Sequence, residues 1–206
     1  MSLILIWAAN GFDPRDPFEV DNWSRVSLAM MVEHYKEQKD LGNKVYIGVF
    51  RSMAHDPSGQ HVFWETCQRV LAEATGLEAW EIFVFDDQSW GSPTDGMALA
   101  KYIIESSDRV IKIFCAREVA KYCEATYRAV ARIILGVEYL PVSFHVPNDT
   151  RNTPRASLKT RAMYGFLTLL TRAISTGWTD WIFLRYFEWR EKHDRAREMG
   201  FVGTLQ

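Results

Sequence analysis

Two adjacent carboxylates and two hydroxyls follow an apolar run near the middle of the chain. The run covers residues 82–85, and the polar residues that come after it are Asp86, Asp87, Ser89 and Thr94. A carboxylate at such a point can accept hydrogen bonds from sugar hydroxyls or act as a general base. We therefore interpret Asp86 and Asp87 as candidate catalytic residues, and Ser89 and Thr94 as candidate ligands of phosphate or hydroxyl groups. A solvated connecting loop is the alternative.

Arginines lie beside other apolar segments. Arg25 is expected in the first turns of a helix, Arg51 directly follows the second apolar segment, and Arg117 is expected where a helix starts after the fourth. An arginine there can pair with an anion, which the N–H groups and dipole of a helix N-terminus also favour. A solvated position is the alternative for Arg25. Asn10 and Gly11 complete the candidate ligand-binding residues, since Asn-Gly favours a tight turn.

Glu65 is a third candidate catalytic residue, as a secondary acid or base. It lies one helical turn after His61, so a surface pair between these two side chains is the alternative. His55 and Asp56 precede them, but the spacing of these four residues matches no metal motif, and we predict no metal site. Cys115 ends an apolar segment, where a cysteine is usually a small buried hydrophobe rather than a nucleophile.

Five short apolar segments must position these residues, and they alternate with segments of helical period. The predicted strands cover residues 3–8, 44–50, 81–85, 109–115 and 137–144, and the predicted helices cover residues 23–39, 62–74, 97–105 and 119–135. This alternation predicts an α/β fold in which a doubly wound parallel sheet of about five strands, Rossmann-like or flavodoxin-like, has helices on both faces. Because parallel strands end at the same edge, the candidate residues should converge on one cleft there.

Polar residues and glycine also predict where the helices start and stop. Asp21 or Asn22 should cap the first helix, Gly76 should end the second, and Thr94 or Asp95 should cap the third.

The sequence changes character after residue 144. Residues 145–157 are rich in polar residues and contain two prolines, so we divide the chain into an α/β domain over residues 1–150 and a helical extension over residues 151–206. Helices are predicted over residues 158–175 and 179–199. Aromatic and basic residues interleave in the second one. The pair of helices could pack on the sheet domain or close over the cleft, form a homodimer interface, or lie on a membrane surface.

Composition limits the classes of partner and compartment. The chain has 206 residues and a net charge of -2, so it lacks the basic stripe expected of a nucleic-acid-binding protein. The three cysteines form no CxxC pair or disulfide framework, which favours a reducing cytoplasm. No apolar run reaches the length of a transmembrane helix, and the apolar N-terminal run lacks the basic residues of a signal peptide.

Several of these residues together resemble the DUF218 family of YdcF-like and SanA-like proteins, over about residues 3–145. The matching features are a serine and an arginine that open the first helix, Glu65 after the second strand, and an acidic residue followed by S-x-x-x-x-T; the residues are Ser24, Arg25, Glu65, Asp86 or Asp87, Ser89 and Thr94. The chain lacks the Gly-Gly after the first strand and the histidine after the fourth that this family commonly has. The resemblance implies a Rossmann-like sheet, a cleft at the strand ends, and binding of a nucleotide or S-adenosylmethionine.

Three functions are consistent with these features. The first is a transferase or hydrolase that acts on a nucleotide, a sugar-nucleotide or a similar anionic small molecule. An oxidoreductase is disfavoured because the dinucleotide fingerprint GxGxxG is absent. The second is a non-catalytic nucleotide- or S-adenosylmethionine-binding protein, and the third is an enzyme like the nucleoside deoxyribosyltransferases, which use a carboxylate nucleophile.

Overall fold

The structure is a computed structural model that describes most of the chain. The described residues are 2–13, 15–56, 58–89, 91–105, 109–136, 140–147 and 157–174, with the single positions 185, 189 and 192. Apart from those three positions, the predicted helix over residues 179–199 lies outside the described residues. The dimer and membrane alternatives for the C-terminal helices stay predictions.

The elements follow one another in the alternating order that the sequence predicts. In chain order they are β1 (Ser2–Ala8), β2 (Phe12–Asp13), β3 (Asp16–Val20), α1 (Asn22–Asp40), β4 (Lys44–Ser52), α2 (Phe63–Thr75), a short 3-10 helix (Ala79–Glu81), β5 (Ile82–Ser89), α3 (Ser92–Glu105), β6 (Arg109–Cys115), α4 (Arg117–Leu135), β7 (Val142–His145) and α5 (Leu158–Ile174).

Five of these strands form a parallel sheet in the order β5-β4-β1-β6-β7. Every neighbouring pair is parallel, and Leu5 in the middle of β1 lies opposite Ile47 of β4 and Lys112 of β6. The chain first builds outward from β1 to β5, then crosses back to build β6 and β7 on the other side. The predicted Rossmann-like α/β fold is confirmed.

Helices cover both faces of this sheet, and a separate core lies under each face. Leu5 and Trp7 of β1 point into the core beneath α1 and α2, whereas Ile4 and Ile6 point into the core beneath α3 and α4. All four side chains are at most 1% exposed. Burial on both faces explains why the strands read as continuous apolar runs in the sequence.

Two predicted helix boundaries are confirmed by their local geometry. Asp21 caps α1, because its Oδ1 accepts a hydrogen bond from the backbone N–H of Ser24 at 2.7 Å. Gly76 ends α2 in the left-handed conformation, with φ of 72°, which L side chains rarely adopt.

The third strand is longer than predicted. It does not end at Phe85, because β5 continues through Asp86 and Asp87 to Ser89. Val49 of β4 pairs with Val84, but two residues later the partner of Arg51 is Gln88, so a bulge separates the two parts of the ladder. The sequence interpretation failed here because polar residues inside a bulge look like the end of a strand.

The third helix starts earlier than predicted. It begins at Ser92, so Thr94 and Asp95 lie within its first turn and neither is the residue before it. The backbone N–H of Asp95 already bonds to the carbonyl of Gly91 at 3.0 Å. Pro93 is compatible with this early start, since proline is tolerated in the first turn of a helix.

Three further elements differ in their extent from the sequence interpretation. A small antiparallel hairpin, β2 and β3, lies between the first predicted strand and the first predicted helix, where no element was predicted. The last sheet strand covers only Val142–His145, and residues 137–139 of its predicted range lie outside the described residues.

The described part of the chain contains no helix that is long and apolar enough to cross a membrane.

Candidate functional site

A cleft of about 380 Å³ opens at the edge where the sheet strands end. At this edge the connections that leave the neighbouring strands β1 and β6 run to opposite sides of the sheet, since β1 leads to β4 and β6 leads to β7. Ligands of open α/β sheets bind at such switch points. The cleft is lined by the end of β1 and the loop after it, the ends of β4 and β5, and the first turns of α2, α3 and α4. Met163, Tyr164 and Leu167 of α5 close one side.

The loop after β1 is fixed to the start of α1. The backbone N–H of Asn10 donates to Ser24 Oγ at 2.7 Å, and its side-chain amide donates to Asp21 Oδ2 at 2.9 Å. Asp21 returns a backbone hydrogen bond to the carbonyl of Gly11 at 2.9 Å. Asp21 therefore caps a helix and holds one wall of the cleft at the same time.

Asp95 provides the carboxylate of the cleft. Ser89 Oγ donates a hydrogen bond to Asp95 Oδ1, and the hydroxyl of Tyr127 lies 3.4 Å from Asp95 Oδ2. Ser89 and Tyr127 are fully buried, while Asp95 is partly exposed towards the cleft. The end of β5 and helix α4 thus each provide a donor to the carboxyl group that α3 carries.

The surroundings of Asp95 change its protonation. Burial raises the pKa of Asp95 from 3.8 to about 7, and the hydrogen bonds from Ser89 and Tyr127 oppose this rise only in part. Desolvation disfavours the charged carboxylate, and no nearby cation compensates for it. The described residues that line the cleft include no lysine, arginine or histidine. Both protonation states of Asp95 are therefore populated near neutral pH.

A glycine lets α3 and α4 approach closely enough to form this contact. A Cβ atom at Gly96 would lie 2.9 Å from the Cα atom of Tyr127 and 3.0 Å from its ring. Gly96 directly follows Asp95, so the absence of a side chain there brings the Tyr127 hydroxyl within reach of the carboxyl group.

The cleft also contains thiols and aromatic rings. Cys67 and Cys123 line it, but burial raises the pKa of Cys123 to about 12 and that of Cys67 well above its usual value, so neither is a thiolate nucleophile. The rings of Tyr122 on α4 and Tyr164 on α5 contact each other at 5.7 Å between centroids and form an aromatic wall.

Three of the sequence-predicted residues line the cleft, and a fourth lies directly behind it. Asn10, Gly11 and Ser89 are part of the lining. Thr94 is buried next to them, with its Oγ1 atom 3.3 Å from Ser89 Oγ and 2.9 Å from the carbonyl oxygen of Gly91.

The two aspartates that the sequence highlights lie outside this lining. Asp87 forms an ion pair with Lys101 of α3 at 3.0 Å, and Asp86 is exposed on the strand bulge. Arg51 contacts the backbone carbonyl of Asp86 at 3.4 Å and stacks on the ring of Trp64 at 5.7 Å. This group forms a surface network beside the cleft.

The remaining candidates are more dispersed. Arg25 pairs with the hairpin residues Glu19 at 3.4 Å and Asp13 at 3.6 Å. Glu65 is exposed in the first turn of α2, on another surface. Arg117 is the first residue of α4, as predicted, and its side chain is exposed. The side chains of Arg25, Glu65 and Arg117 do not line the cleft.

Asp95 is the functional candidate that sequence reasoning missed, because it was interpreted only as a helix cap. Ser-Pro at residues 92 and 93 could have indicated that the helix starts earlier and that Asp95 lies inside its first turn. Its partner Tyr127 lies 32 residues further along the chain, and no local pattern connects the two. Within the described residues, no group of three or more histidines, cysteines or carboxylates could hold a metal ion.

The fold and the cleft together define a Rossmann-like α/β protein with a carboxyl group at its topological switch point. None of the protein-family models, curated proteins or solved structures with which the chain was compared matches it.

Proposed function

We propose that this protein is an enzyme in which Asp95 transfers a proton to or from a small molecule bound in the cleft. The observation that supports this most directly is the position of Asp95, which lies in the wall of a switch-point cleft and is held by Ser89 and Tyr127. Catalytic acids and bases are typically held in this way, in sites that raise or lower their pKa towards the working pH.

The reaction type follows from this role. In its protonated form Asp95 would donate a proton to the leaving oxygen as the bond to the transferred group breaks. In its ionised form it would take a proton from the attacking hydroxyl or water as the new bond forms. Hydrolysis and group transfer both fit, because they differ only in whether water or an acceptor hydroxyl attacks. With a pKa of about 7, Asp95 could serve in either direction near neutral pH.

We propose a substrate that combines hydroxyl groups with an aromatic ring and an anionic group, as a nucleotide or a sugar-nucleotide does. Asp95 can bind hydroxyls, and the rings of Tyr122 and Tyr164 offer a surface for a base. The anionic group would lie at the start of α4, where Ala116 provides no side-chain cap for the free N–H groups and Arg117 is exposed.

The resemblance to the DUF218 family agrees with this proposal, and we propose a cytoplasmic location for the protein. We include S-adenosylmethionine among the proposed ligands of the cleft, since it also joins a base and a ribose to a charged group.

A non-catalytic binding protein is the second candidate function. It is favoured by the single carboxylate among the described residues of the lining, because glycoside cleavage usually employs two. The deoxyribosyltransferase-like alternative requires a carboxylate nucleophile. Asp95 suits that role less well, since burial favours its protonated form.

A thermal-shift screen over nucleotides, nucleotide sugars and S-adenosylmethionine tests the cleft first. A ligand that binds the folded state raises the melting temperature, by an amount that grows with its concentration. Each ligand found is then incubated with wild-type protein, with Asp95→Asn, and with Asp40→Asn as a control at the exposed end of α1. We expect turnover by the wild type and the control, and a loss of about 100-fold or more in Asp95→Asn with ligand binding retained.

Two results would overturn the proposal. A bound ligand that all three proteins return unchanged supports the binding function instead. Full turnover by Asp95→Asn, together with loss of turnover in the double variant Asp86→Asn, Asp87→Asn, would move the chemistry to the bulge of β5.

A further inference from the structure

A lysine interrupts the apolar sequence of β6 at a position that is partly buried. Lys112 lies between Ile111 and Ile113, which are 2% and 0% exposed, and its neighbours across the sheet are Leu5 and Ser143. Lysines are rarely buried unless they are paired, and a strand that is covered on both faces is normally apolar throughout. Lys112 therefore requires a partner.

The partner that the structure provides is a histidine. Lys112 Nζ lies 2.9 Å from Nε2 of His34 on α1. An ammonium group can only donate, so Nε2 must accept and His34 must be neutral. In the described part of the chain Lys112 makes no ion pair with a carboxylate; the nearby Glu37 contacts the opposite ring nitrogen of His34 at 3.5 Å.

A second histidine completes the cluster. The ring of His145 on β7 stacks on Phe114 at 5.1 Å and faces His34 at 6.2 Å, with an angle of 20° between the two imidazoles. Ser143 Oγ lies 2.9 Å from His145 Nε2. One ammonium, two imidazoles and one hydroxyl therefore share a patch on the α1 side of the sheet.

The electrostatics of this patch favour an anion. Burial, and then the charge of Lys112, lower the pKa of His34 and of His145, and His34 lowers that of His145 further. Among the described residues, the carboxylate in contact with this cluster is that of Glu37, which is largely exposed and only partly offsets the effect on the pKa of His34. An anion at the ring edges that replaces His34 Nε2 as the acceptor for Lys112 would compensate the ammonium charge. Both imidazoles could then become protonated and donate hydrogen bonds to it in their ring planes.

We propose that Lys112, His34, Ser143 and His145 form a binding site for a phosphate-type oxyanion, either free phosphate or the phosphoryl end of a larger molecule. None of the four residues lines the cleft that contains Asp95. The proposal is therefore independent of the function proposed for that cleft, and either can fail alone.

The first test uses the wild-type protein and inorganic phosphate. NMR titration of the histidine ring protons, with chloride at equal ionic strength as the reference, should show that phosphate raises the pKa of His34 and His145. His55 and His61, in the loop before α2, serve as internal controls. Unchanged pKa values for His34 and His145 in saturating phosphate would overturn the proposal.

The second test compares Lys112→Met with Lys101→Met, a matched control in which the removed lysine is half-exposed and paired with Asp87. Calorimetry at about pH 6, where histidines begin to protonate, should show phosphate affinity about tenfold or more weaker in Lys112→Met only. Equal affinity in both variants would contradict the proposed site. A parallel titration with glycerol 3-phosphate distinguishes the sources: tighter binding than that of phosphate indicates a phosphorylated molecule, and weaker binding indicates the free ion.

Discussion

Ser89 Oγ donates a hydrogen bond to the carboxyl group of Asp95 and so joins the end of β5 to the first turn of α3. Ser89 is fully buried, and it is the last residue of a strand that continues past a bulge. Because β5 continues beyond the bulge, Ser89 pairs with Ser52 of β4 and is fixed at the end of the sheet. The bulge therefore places a hydrogen-bond donor behind the carboxyl group that we propose as the acid and base.

Replacing Asp95 by asparagine should make the protein more stable above about pH 5. Because burial raises the pKa of Asp95 from 3.8 to about 7, the folded state holds a proton that the unfolded state releases, and stability contributed by this group is lost as the pH rises between those values. The gain should reach roughly 1–3 kcal/mol above pH 7, below the full linkage value because Asp95 is partly exposed to solvent.

Urea denaturation of wild type and Asp95→Asn across this pH range measures the difference, with Asp40→Asn as the control. A difference that does not change with pH would show that Asp95 titrates normally.

Removing either hydroxyl donor should raise the pKa of Asp95 further. Ser89→Ala and Tyr127→Phe each delete a hydrogen bond that stabilises the ionised carboxylate, so each should raise the pKa by up to about one unit. The carboxyl 13C resonance of Asp95, assigned by its loss in Asp95→Asn, reports the titration.

Thr75→Ala is the control for these two variants. Its hydroxyl donates to the carbonyl of Leu71 at the C-terminal end of α2, whereas the cleft is lined by the N-terminal part of that helix. A fall in the pKa of Asp95 in both test variants would be inconsistent with the donors in the structure.

Gly96→Ala should destabilise the fold by about 1–3 kcal/mol, because the new Cβ would overlap the backbone of Tyr127. Gly165→Ala provides the opposite case in another helix, α5, where nothing lies within 4 Å of the added atom. It should stabilise the protein by about 0.5–1 kcal/mol through higher helix propensity. Chemical denaturation of both variants checks the pair, and equal effects would argue against the close approach of α3 and α4.

Lys112→Met should reduce the acid sensitivity of the protein. The pKa of His34 and of His145 lies below 6.5 in the folded state, so the unfolded state binds more protons, and stability falls as the pH drops below 6.5. Removing the Lys112 charge should raise both pKa values and make that loss smaller. Unfolding free energies at about pH 7 and about pH 5, measured in chloride without phosphate, give the comparison. An unchanged loss in Lys112→Met would contradict it, and Lys101→Met should behave like the wild type.

The sequence predicted the fold well because the relevant signals are local. Apolar runs buried on both faces identified the strands, and the alternation with helical segments restricted the topology to a doubly wound sheet. Asp21 and Gly76 were recognised because a cap and a left-handed stop depend on residues within one turn. The strand bulge was missed because it depends on pairing with a neighbouring strand. The early start of α3 was missed although Ser92 and Pro93 carry a local signal for it.

The residues of the candidate site likewise fall into those that local sequence predicted and those that depend on tertiary contacts. Ser89, Asn10 and Gly11 were found because they closely follow predicted strands, and the alternating pattern of the sequence predicted that the strand ends share one edge. Only the tertiary structure decided which carboxylate faces the cleft. Asp86 and Asp87 project from a bulge towards solvent or Lys101, while Asp95 is held by Tyr127 on another helix. The contact between Asp95 and Tyr127 depends on the distance between α3 and α4, which the close packing at Gly96 sets. A distance between two helices results from tertiary packing and cannot be inferred from a local sequence pattern.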